Sequence, residues 1–326
     1  MSLMYLLPAV VAFAVSLVCI FLLLTPPMRR WILDRPNERS LHALPTPRSG
    51  GIAIAGGVAA GLAFASEWPL SASLLAVALA AISLVDDLLS LPTLVRLVAH
   101  LLAAATFVVL ELKGDVALLI LLALAIAWYA NLFNFMDGAD GLAGGMAVFG
   151  FGAYSLAAGQ SGNAVLAASG AVIAAAAFAF LLFNFHPARL FMGDSGSIPL
   201  GFLAGALGIV GWRDGAWPLW FPVLVFAPFV VDASLTLAKR AAGRKPILSA
   251  HREHYYQRMV RMGFGHRRTS CVEYGVMAGC ATVALLAREA ASGVQVLAVA
   301  FVAVAFLLAA AWIDRRWFRL SSEGGE

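Results

Sequence analysis

Charge is what this chain lacks. Only 12% of its 326 residues are charged, about half the share that a water-facing domain carries. So little polar surface cannot cover a globule in water, so most of the chain must face lipid or other apolar helices. Cysteine is scarce as well: Cys19, Cys271 and Cys280 sit in or beside apolar segments without metal-ligand spacing, which leaves them as small core hydrophobes. No basic residue precedes the first apolar run, and Arg29 and Arg30 follow it. That pattern predicts a retained first helix with its N-terminus outside, not a cleaved signal peptide. The apolar runs show no strict alternation, which opposes a β-barrel. None of them places a carboxylate at its middle, where an ion-coupled transporter usually keeps one.

What the chain has is apolar length. About eleven runs approach the ~20 residues needed to cross hydrocarbon: 4–24, 51–66, 69–85, 93–110, 116–136, 142–158, 164–183, 198–211, 217–237, 270–287 and 294–312. Of these, 51–66 and 198–211 are short and rich in glycine or followed by it. The expected fold is all-α: a polytopic transmembrane bundle of about 11 spans forming one domain over 1–326. With the N-terminus outside, segments 25–50, 86–92, 137–141, 184–197 and 238–269 and the tail 313–326 share the cytoplasmic face. Together with Arg96, which ends span four on that side, they hold all but Lys113, Arg213 and Arg288 of the 22 Lys and Arg residues. That asymmetry sets the orientation by the positive-inside rule. Asp86, Asp87, Asp137, Asp140 and Asp194 then fall on the same face, with Asp232 about 7–8 Å inside span nine.

Four segments carry chemistry. In Asn131-Leu-Phe-Asn134-Phe-Met-Asp137-Gly-Ala-Asp140-Gly, helical spacing puts Asn131, Asn134 and Asp137 on one stripe ending at the membrane surface. Gly138 and Gly141 permit a tight reversal there. Asn–Asn bonding between helices and a solvated turn are the competing account. Asp86-Asp87 closes an apolar helix at the end where the dipole disfavours anions. Mg²⁺, a Lys or Arg, or a shared proton must offset the pair, and beside a second acidic cluster a hard-cation, oxygen-ligand site is the better account. In Phe191-Met-Gly-Asp194-Ser195-Gly-Ser197, glycines around Asp-Ser at a helix start expose amides to an anion; Ser195 as a plain N-cap is the alternative. The loop His251-Arg252-Glu-His254-Tyr-Tyr256-Gln-Arg258 mixes imidazoles, guanidiniums and phenols that bind phosphate and stack on a base. Upstream, the loop from Asp34 to Gly51 is irregular; His42 lacks a paired ligand and is not expected to bind metal. His100 shares a helical face with Arg96 and reads as a packing or headgroup contact. Prolines 218, 222 and 228 should bend span nine and open a lateral groove for an isoprenoid tail. For Trp217 and Trp220 an aromatic belt at the outer interface is the preferred reading.

In combination and order, Pro45-Thr-Pro-Arg48-x-Gly-Gly, Asp86-Asp87, the Asn131–Gly141 motif, Phe191–Ser197 and the His/Arg loop resemble the polyprenyl-phosphate N-acetylhexosamine-1-phosphate transferases. The resemblance runs from Asp34 to about Arg268. It implies transfer of a sugar-1-phosphate from a UDP-sugar to polyprenyl phosphate with release of UMP, on the cytoplasmic face of a bacterial inner membrane. Mg²⁺ would be the cofactor, with Mn²⁺ as a substitute; no nucleic-acid partner is implied, and a homodimer is compatible. Carried onto matching positions, Asp194, Asp137 and Asp140 are the metal residues, and Asp86 with Asp87 positions or deprotonates the attacking lipid phosphate. Asn131, Asn134, Arg48, Ser195, His251, Arg252 and His254 would bind substrate. One departure stands out: Tyr256 replaces an imidazole that many relatives carry, in a pattern closer to the enzymes starting lipopolysaccharide O-chains. A CDP-alcohol phosphotransferase is the rival enzyme class, but its longer Asp-Gly-x-x-Ala-Arg pattern is absent. A transporter is the rival outside enzymes.

Overall fold

The computed structural model describes the chain except residues 1–2, 31, 35, 37–40, 42–44, 66, 247–250 and 324–326. His42 therefore lies outside the described residues. Apolar runs in lipid must satisfy every backbone amide internally, and helices do so within one segment. Accordingly, the elements are α1 (Leu3–Leu23), α2 (Gly50–Ala63), α3 (Leu70–Leu89), α4 (Thr93–Glu111), α5 (Val116–Phe135), α6 (Leu142–Gln160) and α7 (Ala164–Asn184). The series continues with α8 (Asp194–Arg213), α9 (Trp220–Val225), α10 (Ala227–Ala242), α11 (Tyr255–Met259), α12 (Gly265–Ala287) and α13 (Ser292–Glu323). A π turn, Val260–Phe264, joins α11 to α12. Two short antiparallel strands, β1 (Leu33–Asp34) and β2 (Thr46–Pro47), brace the loop before α2.

The all-α polytopic class holds. Among the described residues, nine helical stretches are long and apolar enough to span a membrane. The run 51–66 yields α2, whose 14 residues cover about 21 Å of the ~30 Å hydrocarbon. The run 217–237 breaks at Phe226 into α9 and α10. Pro228 sits at the start of α10, where its missing N–H costs nothing. Phe226 turns inward at this break, with its ring 5.5–5.9 Å from those of Tyr129, Phe133, Phe151 and Tyr154. The break thus exchanges helical continuity for an aromatic hub. Trp217 corrects the interfacial expectation: it is 4% exposed, stacks 4.8 Å from Tyr154 and donates Nε1–H to the Gly208 carbonyl at 2.9 Å.

The short run 198–211 becomes the central helix. α8 extends to 20 residues and is buried along nearly its whole length from Ser195 to Gly211. Gly201 allows this: a Cβ there would collide with the Tyr129 carbonyl of α5, so glycine lets the two backbones touch. α13 also overruns the end expected for the last span. Arg258 pairs with Asp314 at 2.8 Å, Lys239 pairs with the same carboxylate, and the Arg261 guanidinium covers the Trp317 ring at 4.7 Å. These contacts hold the helix through much of segment 313–326.

Candidate active site

Six chain segments meet at one end of the bundle. α3 ends with Asp86 and Asp87; Ser90 follows in the left-handed conformation, φ 54°. Asp86 Oδ1 accepts the Leu91 N–H at 2.6 Å, closing the turn into α4. Arg96, one turn into α4, reaches back to Asp86 Oδ2 at 3.1 Å and across to Asp194 Oδ2 at 3.3 Å. From the loop before α2, Arg48 Nη2 lies 2.6 Å from Asp87 Oδ1 and 2.8 Å from Asp194 Oδ1. Asp87 in turn caps α8: it accepts the N–H of Asp194 at 3.3 Å and of Ser195 at 3.1 Å. Here a carboxylate meets the positive end of a helix dipole, the favourable arrangement. Gly193 precedes it with φ 76°, a left-handed conformation that glycine adopts without strain.

The pair Asp86-Asp87 therefore finds its countercharge in Arg96 and Arg48, one of the offsets the sequence left open. Arg48 loses hydration by burial, but Asp194 and Asp87 outweigh that loss and raise its pKa. Asp137, in the turn after α5, joins the same group through the Gly193 amide and the charges of Asp194, Arg48 and Asp87. Burial first, then the Asp194 and Asp87 charges, push its pKa well above the ordinary carboxylate range, against the pull of Arg48. With all four carboxylates ionised, two guanidiniums leave the group two negative charges in excess. Hard oxygen donors with surplus negative charge and a carboxylate that resists ionising fit a divalent cation such as Mg²⁺.

Not every residue picked out from the sequence joins this pool. Asn134 Nδ2 donates to Ser197 Oγ of α8 at 3.3 Å, beside the cluster. Asn131 Nδ2 instead donates to the Ala127 carbonyl of its own helix at 2.7 Å. Asp140 turns away: its Oδ2 lies 2.6 Å from His186 Nδ1 and accepts the Ala188 N–H at 3.2 Å. Its Oδ1 is 3.5 Å from His266 Nδ1. The turn over residues 136–141 separates the two aspartates of the motif, and the metal role expected for Asp140 beside Asp194 has no contact to carry it among the described residues. Asp140, His186 and His266 are spaced as metal ligands. However, His266 Nδ1 accepts the Asp140 N–H at 3.2 Å and its Nε2 meets the Leu41 carbonyl at 3.1 Å, so both nitrogens are engaged in buckling three loops together.

The His/Arg loop folds over the Asp137 turn. Asp232 organises it, accepting the N–H groups of Tyr255 and Tyr256 at 2.9 Å each and lying 3.1 Å from His254 Nδ1. A carboxylate on Nδ1 orients the ring and leaves Nε2 as its second functional nitrogen. His254 stacks on Phe135 at 5.9 Å, two residues before Asp137. Tyr256 donates its hydroxyl hydrogen to the Phe135 carbonyl at 3.0 Å, satisfying one of the open carbonyls at the end of α5. That position is thus a structural peg in this chain. His251 packs 4.9 Å from His254; burial first, then the nearby His254 and Arg240 charges, lower its pKa to about 4. Arg252 gives its backbone carbonyl to Arg261 at 3.4 Å. His100 is buried within α4, as a packing contact requires.

Sequence reasoning undervalued Arg96 and Asp232. Arg96 counted only as one more inner-face charge, although it is the lone cation of an apolar helix, a signal in itself. The partner of Asp232 lies more than 20 residues downstream, which no local pattern reveals.

Membrane-length helices ending in a pool of carboxylates braced by guanidiniums form the architecture of a polytopic membrane enzyme acting on anionic substrates. Residues 69–212 match the model of glycosyl transferase family 4. The chain is 30% identical over 291 residues to the probable undecaprenyl-phosphate N-acetylglucosaminyl 1-phosphate transferase of Bacillus subtilis, with 81% of each chain covered. It is 33% identical over 294 residues to the decaprenyl-phosphate N-acetylglucosaminephosphotransferase of Mycolicibacterium smegmatis, covering 73% of this chain and 71% of that one. With the phospho-N-acetylmuramoyl-pentapeptide-transferase of Symbiobacterium thermophilum it shares 34% identity over 165 residues, 47% of each chain. The chain belongs to glycosyl transferase family 4 and is a phospho-sugar transferase.

Proposed function

We propose that the protein transfers N-acetylhexosamine-1-phosphate from a UDP-sugar to polyprenyl phosphate, releasing UMP and starting a cell-envelope glycan such as an O-antigen. The relatives whose names specify N-acetylglucosamine and a polyprenyl phosphate support that pairing. The observation that carries the reading is the Asp86–Asp87–Asp194 group bridged by Arg48 and Arg96. The positive-inside count supports a position for this group on the cytoplasmic face of a bacterial inner membrane, where a nucleotide-sugar and a lipid headgroup would meet.

The chemistry is a displacement at phosphorus. An oxygen of the lipid phosphate forms a bond to the sugar-bearing phosphorus, and the bond to the bridging oxygen breaks, so that oxygen and its electron pair leave with UMP. Such transfers depend on positioning and charge neutralisation more than on covalent catalysis. Arg48 and Arg96 hold the phosphates in place by charge-assisted hydrogen bonds, and the α8 amides, now given to Asp87, lie at the same point. Asp194 and Asp137 are the residues that would hold Mg²⁺, which when bound screens the charge on the diphosphate. Asp86, tied by Arg96 and the Leu91 amide, positions the acceptor phosphate; near neutral pH that group needs little deprotonation. His254, oriented by Asp232, offers Nε2 to the nucleotide.

Purified protein incubated with Mg²⁺, undecaprenyl phosphate and a panel of UDP-sugars tests this directly. UMP release with UDP-N-acetylglucosamine or a modified N-acetyl sugar is the expected result, and no UMP from any donor would refute it.

A further inference from the structure

The last helix is longer than a crossing of the membrane requires. α13 has 32 residues, a rise of about 48 Å against ~30 Å of hydrocarbon. Its apolar run ends at residue 312, and Asp314 follows just beyond. In that overhang the Asp314 carboxylate gathers partners from α10 and α11. Its Oδ1 lies 2.8 Å from Arg258 Nη1 of α11. Its Oδ2 accepts from Lys239 Nζ of α10, and the Tyr255 hydroxyl is 3.4 Å from the same oxygen. Lys239 also donates to that hydroxyl at 2.6 Å. Beside these contacts, Ala310 and Ile313 of α13 pack with Tyr255, Met259 and Met262 in a small core separate from the main one.

α11 is only five residues long. So short a helix does not hold its own shape in isolation, and its neighbours decide where it points. His254 is its N-cap residue, and Arg258, one turn on, donates its N–H to the His254 carbonyl at 2.9 Å. Asp232 of α10 fixes the start of the helix through the Tyr255 and Tyr256 amides and His254 Nδ1. Asp314 of α13 fixes the side chains of Tyr255 and Arg258. Tyr255 belongs to both anchors: its amide goes to Asp232, while Lys239 and Arg258 each lie 5.3 Å from its ring. With the first anchor alone α11 could pivot about Asp232 and swing the imidazole. The second anchor removes that freedom.

We propose that Asp314 is a positioning residue for the sugar-nucleotide: by holding Arg258 and Tyr255 it sets the angle of α11, and with it the His254 ring that meets the donor. The last helix is thereby part of the donor site, although Asp314 acts only through α11. The inference rests on the reading of His254 as a nucleotide contact.

Asp314→Asn removes the charge at nearly constant shape and is assayed by UMP release in detergent. KM for the UDP-sugar should rise about fivefold, the effect of losing a partly exposed ion-pair network, while kcat and the KM for undecaprenyl phosphate barely move. Asp314→Glu keeps the charge and should recover most of the donor affinity. Arg315→Ala, at the exposed neighbouring position, should leave both KM values unchanged. In a His254→Ala background Asp314→Asn should add little, because the group it positions is gone. A wild-type donor KM in Asp314→Asn, equal losses for both substrates, or full additivity with His254→Ala overturns the proposal. Arg258→Gln breaks the same contact from the other side and is read in the same way where Asp314→Asn folds poorly. Hydrogen exchange separates this proposal from the functional reading beneath it. Faster exchange at the Tyr255 and Tyr256 amides in Asp314→Asn, with α5 unchanged, supports the hold on α11 even where the wild-type protein releases no UMP with any donor. Unchanged exchange overturns that hold.

Discussion

Arg48 and Asp194 stand 146 residues apart in sequence and 2.8 Å apart in the fold. Their contact ties the loop before α2 to the start of the central helix, and Arg48 meets Asp87 from the same nitrogen. A guanidinium shared between two carboxylates is poised to exchange one of them for a substrate phosphate. Arg48→Ala should lower kcat/KM about ten- to hundredfold, as expected for losing a charge-assisted bond of ~1.5–3 kcal/mol. Arg48→Lys keeps the charge but not the planar fork and should recover only part of that loss. Steady-state UMP release measures both, and full activity in Arg48→Ala would remove it from the site.

Asp86 and Asp194 both contact Arg96, at 3.1 and 3.3 Å. Asp86→Asn and Asp194→Asn should each abolish UMP release in detergent while retaining the wild-type elution profile. Either variant at normal rate would strike that residue from the mechanism.

Asp137 resists ionisation because burial and the Asp194 and Asp87 charges favour its protonated form. A divalent cation binding there must displace that proton, so proton and metal compete. Apparent Mg²⁺ affinity should therefore strengthen as pH rises above the ordinary carboxylate range, levelling off once Asp137 is ionised. Asp137→Asn should weaken Mg²⁺ activation and flatten its pH dependence. Titrating activity with Mg²⁺ across pH 5–8 in both proteins decides it, and parallel slopes would contradict it.

Asp232 accepts two backbone amides and holds His254 Nδ1. Asp232→Asn keeps the shape but has only one accepting oxygen, so it should lower stability by about 1–3 kcal/mol, read as an earlier thermal transition. His254→Ala should instead raise KM for the UDP-sugar with little change in melting. If KM and kcat both stay at wild-type values in His254→Ala, the imidazole does not touch the nucleotide.

Much of the site was legible because its local signals are chemically improbable elsewhere. Adjacent aspartates closing an apolar helix, or Asp-Ser between glycines, have few uses in lipid. What stayed hidden were the partners. Arg96 stands out as the lone cation of α4, but its role emerges only when α3 and α8 bring Asp86 and Asp194 to it. Asp137 and Asp140 look equivalent in sequence, yet the turn between them sends Asp140 to His186 instead. Run length likewise located the helices but not their breaks: that Phe226 would turn into a ring cluster and split a span depended on four aromatic residues from two other helices.

By itself the sequence determined a helical membrane protein, and predicted one side for its acidic motifs and most of its basic residues, because hydrophobic length and charge scarcity are one-dimensional properties that the bilayer reads directly. Only the tertiary structure decided which carboxylates share cations, which histidine is braced by an aspartate, and which helix end reaches the loop that carries it. Those outcomes depend on distances of a few ångströms between distant segments, and packing sets such distances.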